Sequence, residues 1–265
     1  MKYEEQLRQE QVSAYLARLE VTVPIRNDLQ SLNTLLFAQL THIPFDSLDV
    51  WGAGACPSLV LEDIYEKIVK KGRGGYCFEL NTLFRALLNA LGFGAYQAAA
   101  IITKPDGAST PPAHNVILCP LNGKTYFLDV GYGGPVPYQA LELTEGQQGD
   151  FYLKSEGENT YSVHRITETE QRCLIRFRNV AVAVSELIPL NFYISQMPDS
   201  HFRHMIHLNR RNPDGSIYSL DGKEFKIYTR EGTEIRPLRS IGEVKDIMRT
   251  YFHMDPAAAP LRDTL

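Results

Sequence analysis

The apolar residues of this chain change their spacing at Gly92, and that change limits the architectures open to it. Before Gly92 they recur at helical intervals. Leu7, Tyr15, Leu16 and Leu19 lie among charges in a helix expected between Tyr3 and Leu19. Leu29, Leu32, Leu35, Leu36 and Leu40 form a second stripe, with Asn27 as its expected cap and Pro44 as its stop. A third helix is expected from Leu61 to Lys71, burying Ile64, Ile68 and Val69 before Gly72. A fourth begins at Cys77 and carries Leu80, Leu83, Phe84, Leu87, Leu88 and Leu91. After Gly92 the runs are short or alternating: Tyr96 to Thr103, His114 to Cys119, Thr125 to Val130, Asp150 to Lys154, Thr160 to Ile166 and Cys173 to Arg178. The Asn122-Gly123 pair predicts a hairpin between the second and third of these. This region reads as an antiparallel sheet or barrel. The last third mixes a short helix near Leu187 to Gln196, strands around Ile217 and Phe225 to Thr229, and a final helix from about Ser240 to Phe252. The Ala257-Ala258-Ala259-Pro260 tail is expected to be loose. The fold class is therefore α+β, divided as 1–92 helical, 93–186 β-rich and 187–265 mixed.

Composition serves mainly to exclude. At 265 residues, folding removes about 70–75% of the unfolded surface, so a full core is within reach. Lys plus Arg total 27 against 31 Asp plus Glu, a net charge of −4, so the basic footprint of a duplex-binding protein is missing and nucleic acid is not an expected partner. No run approaches the ~18–20 apolar residues of a membrane span. Met1-Lys2-Tyr3-Glu4-Glu5-Gln6 lacks the apolar stretch of a signal peptide, so a cytoplasmic location is expected. Cys56, Cys77, Cys119 and Cys173 form no Cys-x-x-Cys pair and read as free thiols in a reducing compartment.

One of those thiols stands out. In Arg73-Gly74-Gly75-Tyr76-Cys77-Phe78-Glu79-Leu80-Asn81, two glycines allow a sharp turn and the cysteine falls at the start of a helix. Unpaired amides there favour thiolate over thiol. Taken alone, the segment fits a small packed thiol equally well. Two later segments shift the balance. Pro112-Ala113-His114-Asn115 places a histidine at the head of an apolar strand, and Phe127-Leu128-Asp129-Val130-Gly131-Tyr132-Gly133-Gly134 sets an aspartate before a glycine-rich turn. If Leu121 pairs with Lys124 across Asn122-Gly123, His114 falls opposite Gly131 and Asp129 becomes its diagonal neighbour. A nucleophile, a base and an orienting carboxylate is the logic of covalent acyl transfer.

These residues resemble the arylamine N-acetyltransferase family: the Arg73 to Asn81 segment, His114, and Asp129-Val-Gly-Tyr-Gly133 in that order. Pro44-Phe45-Asp46-Ser47-Leu48 is similar to that family's Pro-Phe-Glu-Asn-Leu, and Asn191-Phe192-Tyr193-Ile194-Ser195 to a segment after its barrel. The resemblance implies an N-terminal helical bundle, a central antiparallel β-barrel and a C-terminal α/β lid around a cysteine-protease and transglutaminase-like core. It gives Cys77, His114 and Asp129 the triad roles. It also implies acetyl-coenzyme A as donor, a ping-pong route through an acetyl-cysteine, and an arylamine, hydrazine or arylhydroxylamine as acceptor. By the same match Thr110, Tyr132 and Gly133 are expected near the cofactor, and Phe45, Ala113 and Tyr132 near the acceptor. Two departures stand out: Asp46 replaces the family's Glu as partner for Arg73, and Tyr132 replaces the more common Phe in the turn after Asp129.

Other readings stay open on residues alone. A papain- or transglutaminase-like hydrolase uses the same order of groups, and an amide synthase closing macrolactams uses the same triad with a carrier-bound acyl donor. His201, His204 and His207 lie three apart without a cysteine or acid at ligand spacing, so no metal is expected. With Arg203, Arg210 and Arg211 they offer instead positive charge for phosphates. Glu79 and Asn81 are expected to fix the nucleophile loop, Trp51 to anchor core or loop, and Cys56, Cys119 and Cys173 to be packed or incidental.

Overall fold

The second helix shows how local chemistry sets the frame. Its cap is Asp28 rather than Asn27, because the Asp28 carboxylate accepts from the Ser31 N–H while the Asn27 amide donates to the Gly92 carbonyl. The computed structural model describes residues 6–104 and 107–265, so the Tyr3 to Glu5 part of the first expected helix lies outside the described residues. The helices of the first third are α1 (Gln9–Arg18), α2 (Leu29–His42), α3 (Leu48–Ala53), α4 (Leu61–Tyr65) and α5 (Cys77–Ala90), with the two-residue strand β1 (Phe45–Asp46) between α2 and α3. The third expected helix is α-helical only at its start: Glu66–Lys70 widens into a π-helical turn, a form no spacing rule anticipates. The expected buried residues Ile64, Ile68 and Val69 are nonetheless inside, and Gly72 at φ +65° lets the chain leave.

Beyond Gly92 come β2 (Tyr96–Ile102), β3 (His114–Leu121), β4 (Lys124–Leu128), β5 (Leu141–Glu142), β6 (Gly146–Gln148), β7 (Phe151–Gly157), β8 (Thr160–Ile166) and β9 (Gln171–Arg178). They form one antiparallel sheet in the order β5-β4-β3-β2-β9-β8-β7-β6. Its two edges nearly close into a barrel. The side-chain amide of Gln148 on β6 accepts from the Glu142 N–H at 2.8 Å and donates to the Glu142 carbonyl at 2.9 Å on β5. Alternation divides β3 between two cores. Val116 and Leu118 pack inside the barrel with Phe127, Leu153 and Phe177, while Ile117, Cys119 and Leu121 pack with α5 and the helical third.

The last third holds α6 (Val184–Gln196), α7 (His201–His204), β10 (His207–Arg211), β11 (Ile217–Asp221), β12 (Glu224–Tyr228), β13 (Thr233–Pro237) and α8 (Ile241–Tyr251). Strand β1 joins β10 as the edge of this second sheet, with Phe45 opposite Asn209 and Asp46 opposite Leu208. Leu48 and Trp51 enter its core beside Val244, Ile247, Met248 and Phe252, so the helical and C-terminal regions share a hydrophobic layer. The tail is not loose, contrary to expectation. Asp255 caps a 3₁₀ turn over Pro256–Ala258, Pro260 lies against Gly52 closely enough to leave no room for a Cβ, and Arg262 stacks on the Trp51 ring at 4.9 Å. The partners that hold it are distant in sequence, which is why its composition misleads.

Candidate active site

The nucleophile segment is held by buried charge. Arg73, 4% exposed, donates from Nε and Nη2 to Asp46 Oδ2 at 3.0 and 2.9 Å and from Nη1 to Asp49 Oδ1 at 2.7 Å. The expected Asp46–Arg73 pair thus forms despite the shorter acid. Burial alone would lower the Arg73 guanidinium, but Asp46 and Asp49 outweigh it and hold it firmly protonated. Lys67 bridges Asp49 and both oxygens of Glu79, and Glu79 Oε2 accepts from the Tyr76 N–H at 3.1 Å. Gly74 passes so close to Pro44 that a Cβ would sit 2.2 Å from the Pro44 carbonyl oxygen. The segment is therefore pinned before α5 starts, with Tyr76 as N-cap and Cys77 as its first residue.

One helical turn further, Asn81 faces the same way as Cys77 and ties α5 to the hairpin. Its Nδ2 donates to the Asn115 carbonyl at 2.7 Å and to Asp129 Oδ1 at 3.0 Å, and its Oδ1 accepts from the Val130 N–H at 3.0 Å. The hairpin has the register the sequence predicts: Leu121 pairs with Lys124 and Ile117 with Leu128. Ladder pairing stops there, where the chain bends so that Gly131 can meet α5. A Cβ on Gly131 would lie 2.5 Å from the Cys77 Cα. His114 Nε2 donates to Asp129 Oδ2 at 2.6 Å, and Asp129 Oδ1 also accepts from the Gly131 N–H at 2.8 Å. The imidazole also interacts with the Cys77 thiol, which faces the same cavity. Cys77, His114 and Asp129 are 5%, 2% and 1% exposed. Burial would push the imidazole down; the charge and hydrogen bond of Asp129, helped by Cys77, instead raise it to about 10.

Cys77 and His114 open on a cavity of about 620 Å³, and Phe45, Thr110, Ala113, Tyr132 and Gly133 line it too. Of the residues expected at the site, Asp129 alone is absent from the wall, because it lies behind His114. The Thr110 hydroxyl accepts from the Ile102 N–H at 3.1 Å, and the Tyr132 ring stands 6.1 Å from the imidazole. Phe202 lies 5.9 Å from Phe45, which is 5.0 Å from His207. His207 bonds Asp221 through Nδ1 and lies 3.2 Å from the Gly133 carbonyl through Nε2. A larger open groove of about 1010 Å³ between Leu19–Val23, α2 and Tyr138 shares none of these residues and holds no cysteine.

The basic stretch is used otherwise than expected. Arg210 donates to the Thr41 and Tyr251 carbonyls, and Arg211, 5% exposed, donates to the Gly134 carbonyl at 2.6 Å and stacks on Tyr138. Both fasten β10 to its surroundings rather than facing solvent. His204 bonds the Pro198 carbonyl at 2.6 Å, whereas His201 and His207 line the cavity. Sequence reasoning missed Lys104, Arg172 and Phe202 in the cavity wall. Phe202, beside His201, was within reach of closer reading; Arg172, in an alternating strand, carried no signal. Cys119 is buried and its thiol is pushed up to about 11 by that burial, Cys173 is half-buried, and Cys56 is exposed.

Among the described residues no helix is long and apolar enough to cross a membrane. Residues 28–259 match the family model described as N-acetyltransferase. An arylamine N-acetyltransferase / N-hydroxyarylamine O-acetyltransferase of Salmonella typhimurium is 31% identical over 224 residues, covering 81% of this chain and 78% of that one. An arylamine N-acetyltransferase of Escherichia coli is 27% identical, covering 90% and 86%. Among solved structures, that of Mycobacterium marinum arylamine N-acetyltransferase in complex with CoA superposes with a TM-score of 0.85 at 26% identity, covering 93% of each chain.

Proposed function

The chain belongs to the arylamine N-acetyltransferase family, and on that footing we propose that it carries an acetyl group from acetyl-coenzyme A to the nitrogen of an aromatic amine or hydrazine by way of a thioester on Cys77. One observation supports this route above the others. The Cys77 thiol, at the first residue of α5, interacts with an imidazole that Asp129 holds from behind at 2.6 Å, and both open on one cavity.

The chemistry follows from the proton. His114, raised to about 10, is basic enough to take the thiol proton, and the sulfur is then the nucleophile. The sulfur attacks the acetyl carbonyl, and coenzyme A leaves as a thiolate that takes the proton from His114. One thioester replaces another, so the step is close to thermoneutral. In the second half an aromatic amine attacks; its low basicity leaves it neutral at pH 7, and His114 accepts its proton as the amide forms and Cys77 departs. Amides in the first turn of α5 have no carbonyl four residues back and serve as donors to the tetrahedral oxyanion. Ile194 and Phe202, from the C-terminal third, line the same cavity with apolar surface, which favours excluding water from the thioester. Phe45, Ala113 and Tyr132 are assigned to the acceptor, and Thr110, Tyr132 and Gly133 to the coenzyme A side.

Intact-mass spectrometry after mixing with acetyl-coenzyme A tests the route. One acetyl group is expected on wild-type protein, localised to Cys77, released by an arylamine and absent from Cys77→Ser. Amine acetylation at undiminished rate by Cys77→Ser would overturn it.

A further inference from the structure

We propose that β13 is a self-pairing edge: two copies of the chain join antiparallel through Thr233–Pro237, with Ile235 facing its counterpart on a two-fold axis. The other edges are already taken. In the first sheet β5 and β6 are bridged by the Gln148 side chain, and in the second the outer side of β1 is bonded to Gly75. Strand β13 pairs with β12 and, among the described residues, with nothing on its other side. All of its residues are exposed, Ile235 to 55%. The ladder decides which backbone groups look outward. The Thr229 N–H donates to the Gly232 carbonyl at 2.9 Å and the Leu238 N–H to the Lys223 carbonyl at 2.7 Å, so hydrogen-bonded pairs alternate inward from both ends. Glu234 and Arg236 therefore bond to β12, while Thr233, Ile235 and Pro237 turn their backbone groups away from it. A strand with free N–H and C=O groups recruits another strand unless its side chains prevent it.

Here the side chains select a partner. Antiparallel pairing about Ile235 sets Glu234 against Arg236 of the second copy, and Arg236 against its Glu234. The Ile235 N–H and C=O groups exchange bonds at the centre, and each Thr233 N–H reaches a Pro237 carbonyl; the missing proline N–H leaves the rest of the ladder intact. A shift of one pleat either way sets Glu234 against Glu234 or Arg236 against Arg236, and in-register parallel pairing sets like against like, so charge admits one register. The same register carries Glu231 toward Arg239 just past the strand ends. On β12 Glu224 and Lys226 pair with each other at 2.9 Å, whereas Glu234 and Arg236 form no ion pair among the described residues. On the opposite face the two Ile235 side chains cover each other, flanked by Tyr228, 38% exposed. Each chain offers one such edge, so pairing stops at two. No residue of β11, β12 or β13 lines the active-site cavity, and pairing leaves it open. One strand pair makes a small interface, so a dimer of micromolar strength in exchange with monomer is expected.

Sedimentation velocity of the full chain from about 1 to about 300 μM reads the association. Wild type is expected to move from one chain of 30.0 kDa toward two as concentration rises. Glu234→Arg sets arginine against arginine and Arg236→Glu sets glutamate against glutamate, and each alone should weaken self-association by about 10- to 100-fold. The decisive sample is an equimolar mixture of these two variants, in which every charged pair is opposite again; it should form a mixed dimer about as strong as wild type. Ile235→Lys, which sets a cation against itself at the centre, should stay monomeric throughout. Circular dichroism checks that each variant is folded. A wild type that is monomeric across the whole range overturns the proposal. So does a dimer untouched by both single reversals, because it then forms through another surface. Failure of the mixture to associate, or wild-type assemblies larger than a dimer, overturns it as well.

Discussion

Two histidine–aspartate pairs face the same cavity, and only one is placed to do chemistry. In the His114–Asp129 pair one ring nitrogen is held by the carboxylate and the imidazole also reaches the thiol. In the His207–Asp221 pair Nδ1 meets the carboxylate and Nε2 meets the Gly133 carbonyl, so neither ring nitrogen is left for a substrate. With both nitrogens engaged, the ring acts as a clamp, fastening β10 to the turn after Asp129. Pairing with a carboxylate is therefore not what marks a general base; what marks it is the bond that remains open. Their settings differ accordingly. Side chains of the first pair are 3% and 0% exposed, those of the second 18% and 24%.

The sharpest way to break this comparison is to remove the same charge from each pair. Asp129→Asn should lower kcat for arylamine acetylation by about 10³- to 10⁴-fold, through loss of the right tautomer and of charge stabilisation. Asp221→Asn should cost less than about tenfold, because only the clamp loosens. Steady-state rates on folded variants decide it, and equal losses would erase the distinction.

The two pairs should also leave opposite marks on stability against pH. His114 is raised from its ordinary 6.5 to about 10, so its contribution is fully present below pH 6.5 and is lost as pH climbs toward 10. Urea midpoints of wild type and Asp129→Asn should converge across that interval, at a rate on the order of 1.4 kcal/mol per pH unit. Asp221 behaves in the other sense. Burial opposes its ionisation, but the bond and charge of His207 hold it below its ordinary 3.8, so wild type and Asp221→Asn should converge as pH falls below that value. Convergence in the same direction for both would contradict the assignment.

The smallest effects lie one bond further out. Asn81→Ala strips Asp129 Oδ1 of one donor and leaves the buried Val130 N–H unpaired, which should lower thermal stability by about 1–3 kcal/mol and slow turnover as well. Ser219→Ala removes the hydroxyl that donates to Asp221 Oδ2 at 2.6 Å and should cost about 0.5–1.5 kcal/mol with little change in kcat. Calorimetry with parallel kinetics separates the two.

The contrast also explains what could be read from the chain. The His114–Asp129 pair was legible because a two-residue turn with Asn122 and Gly123 at φ 52° and 77° dictates the register of both strands, and register sets which side chains meet. Asn81 followed from its place one turn after Cys77. The His207–Asp221 pair was not legible: Asn212-Pro213-Asp214-Gly215 signals a turn between β10 and β11, but a five-residue connection leaves the register of the two strands open, and with it which side chains meet. The same holds for β1, a strand of two residues whose partner has no local trace, and for the π-helical turn, where packing overrides the helical period. Arg172 was silent because an arginine in an alternating strand is ordinarily solvated; only the closure of the sheet turns it inward.

The two-residue strand β1 is bonded on one side to Gly75, through the Asp46 N–H and the Gly75 carbonyl at 2.9 Å, and on the other to β10. Beside it, the Ser47 hydroxyl and the His207 backbone close a loop of 160 residues. Contacts that span so much chain form late in folding, since the entropy of closing such a loop must be overcome before they add anything. During synthesis the cysteine therefore emerges long before the strand that steadies its loop can find its second neighbour. Everything through β10 has to leave the ribosome before this thiol's loop has both of its neighbours.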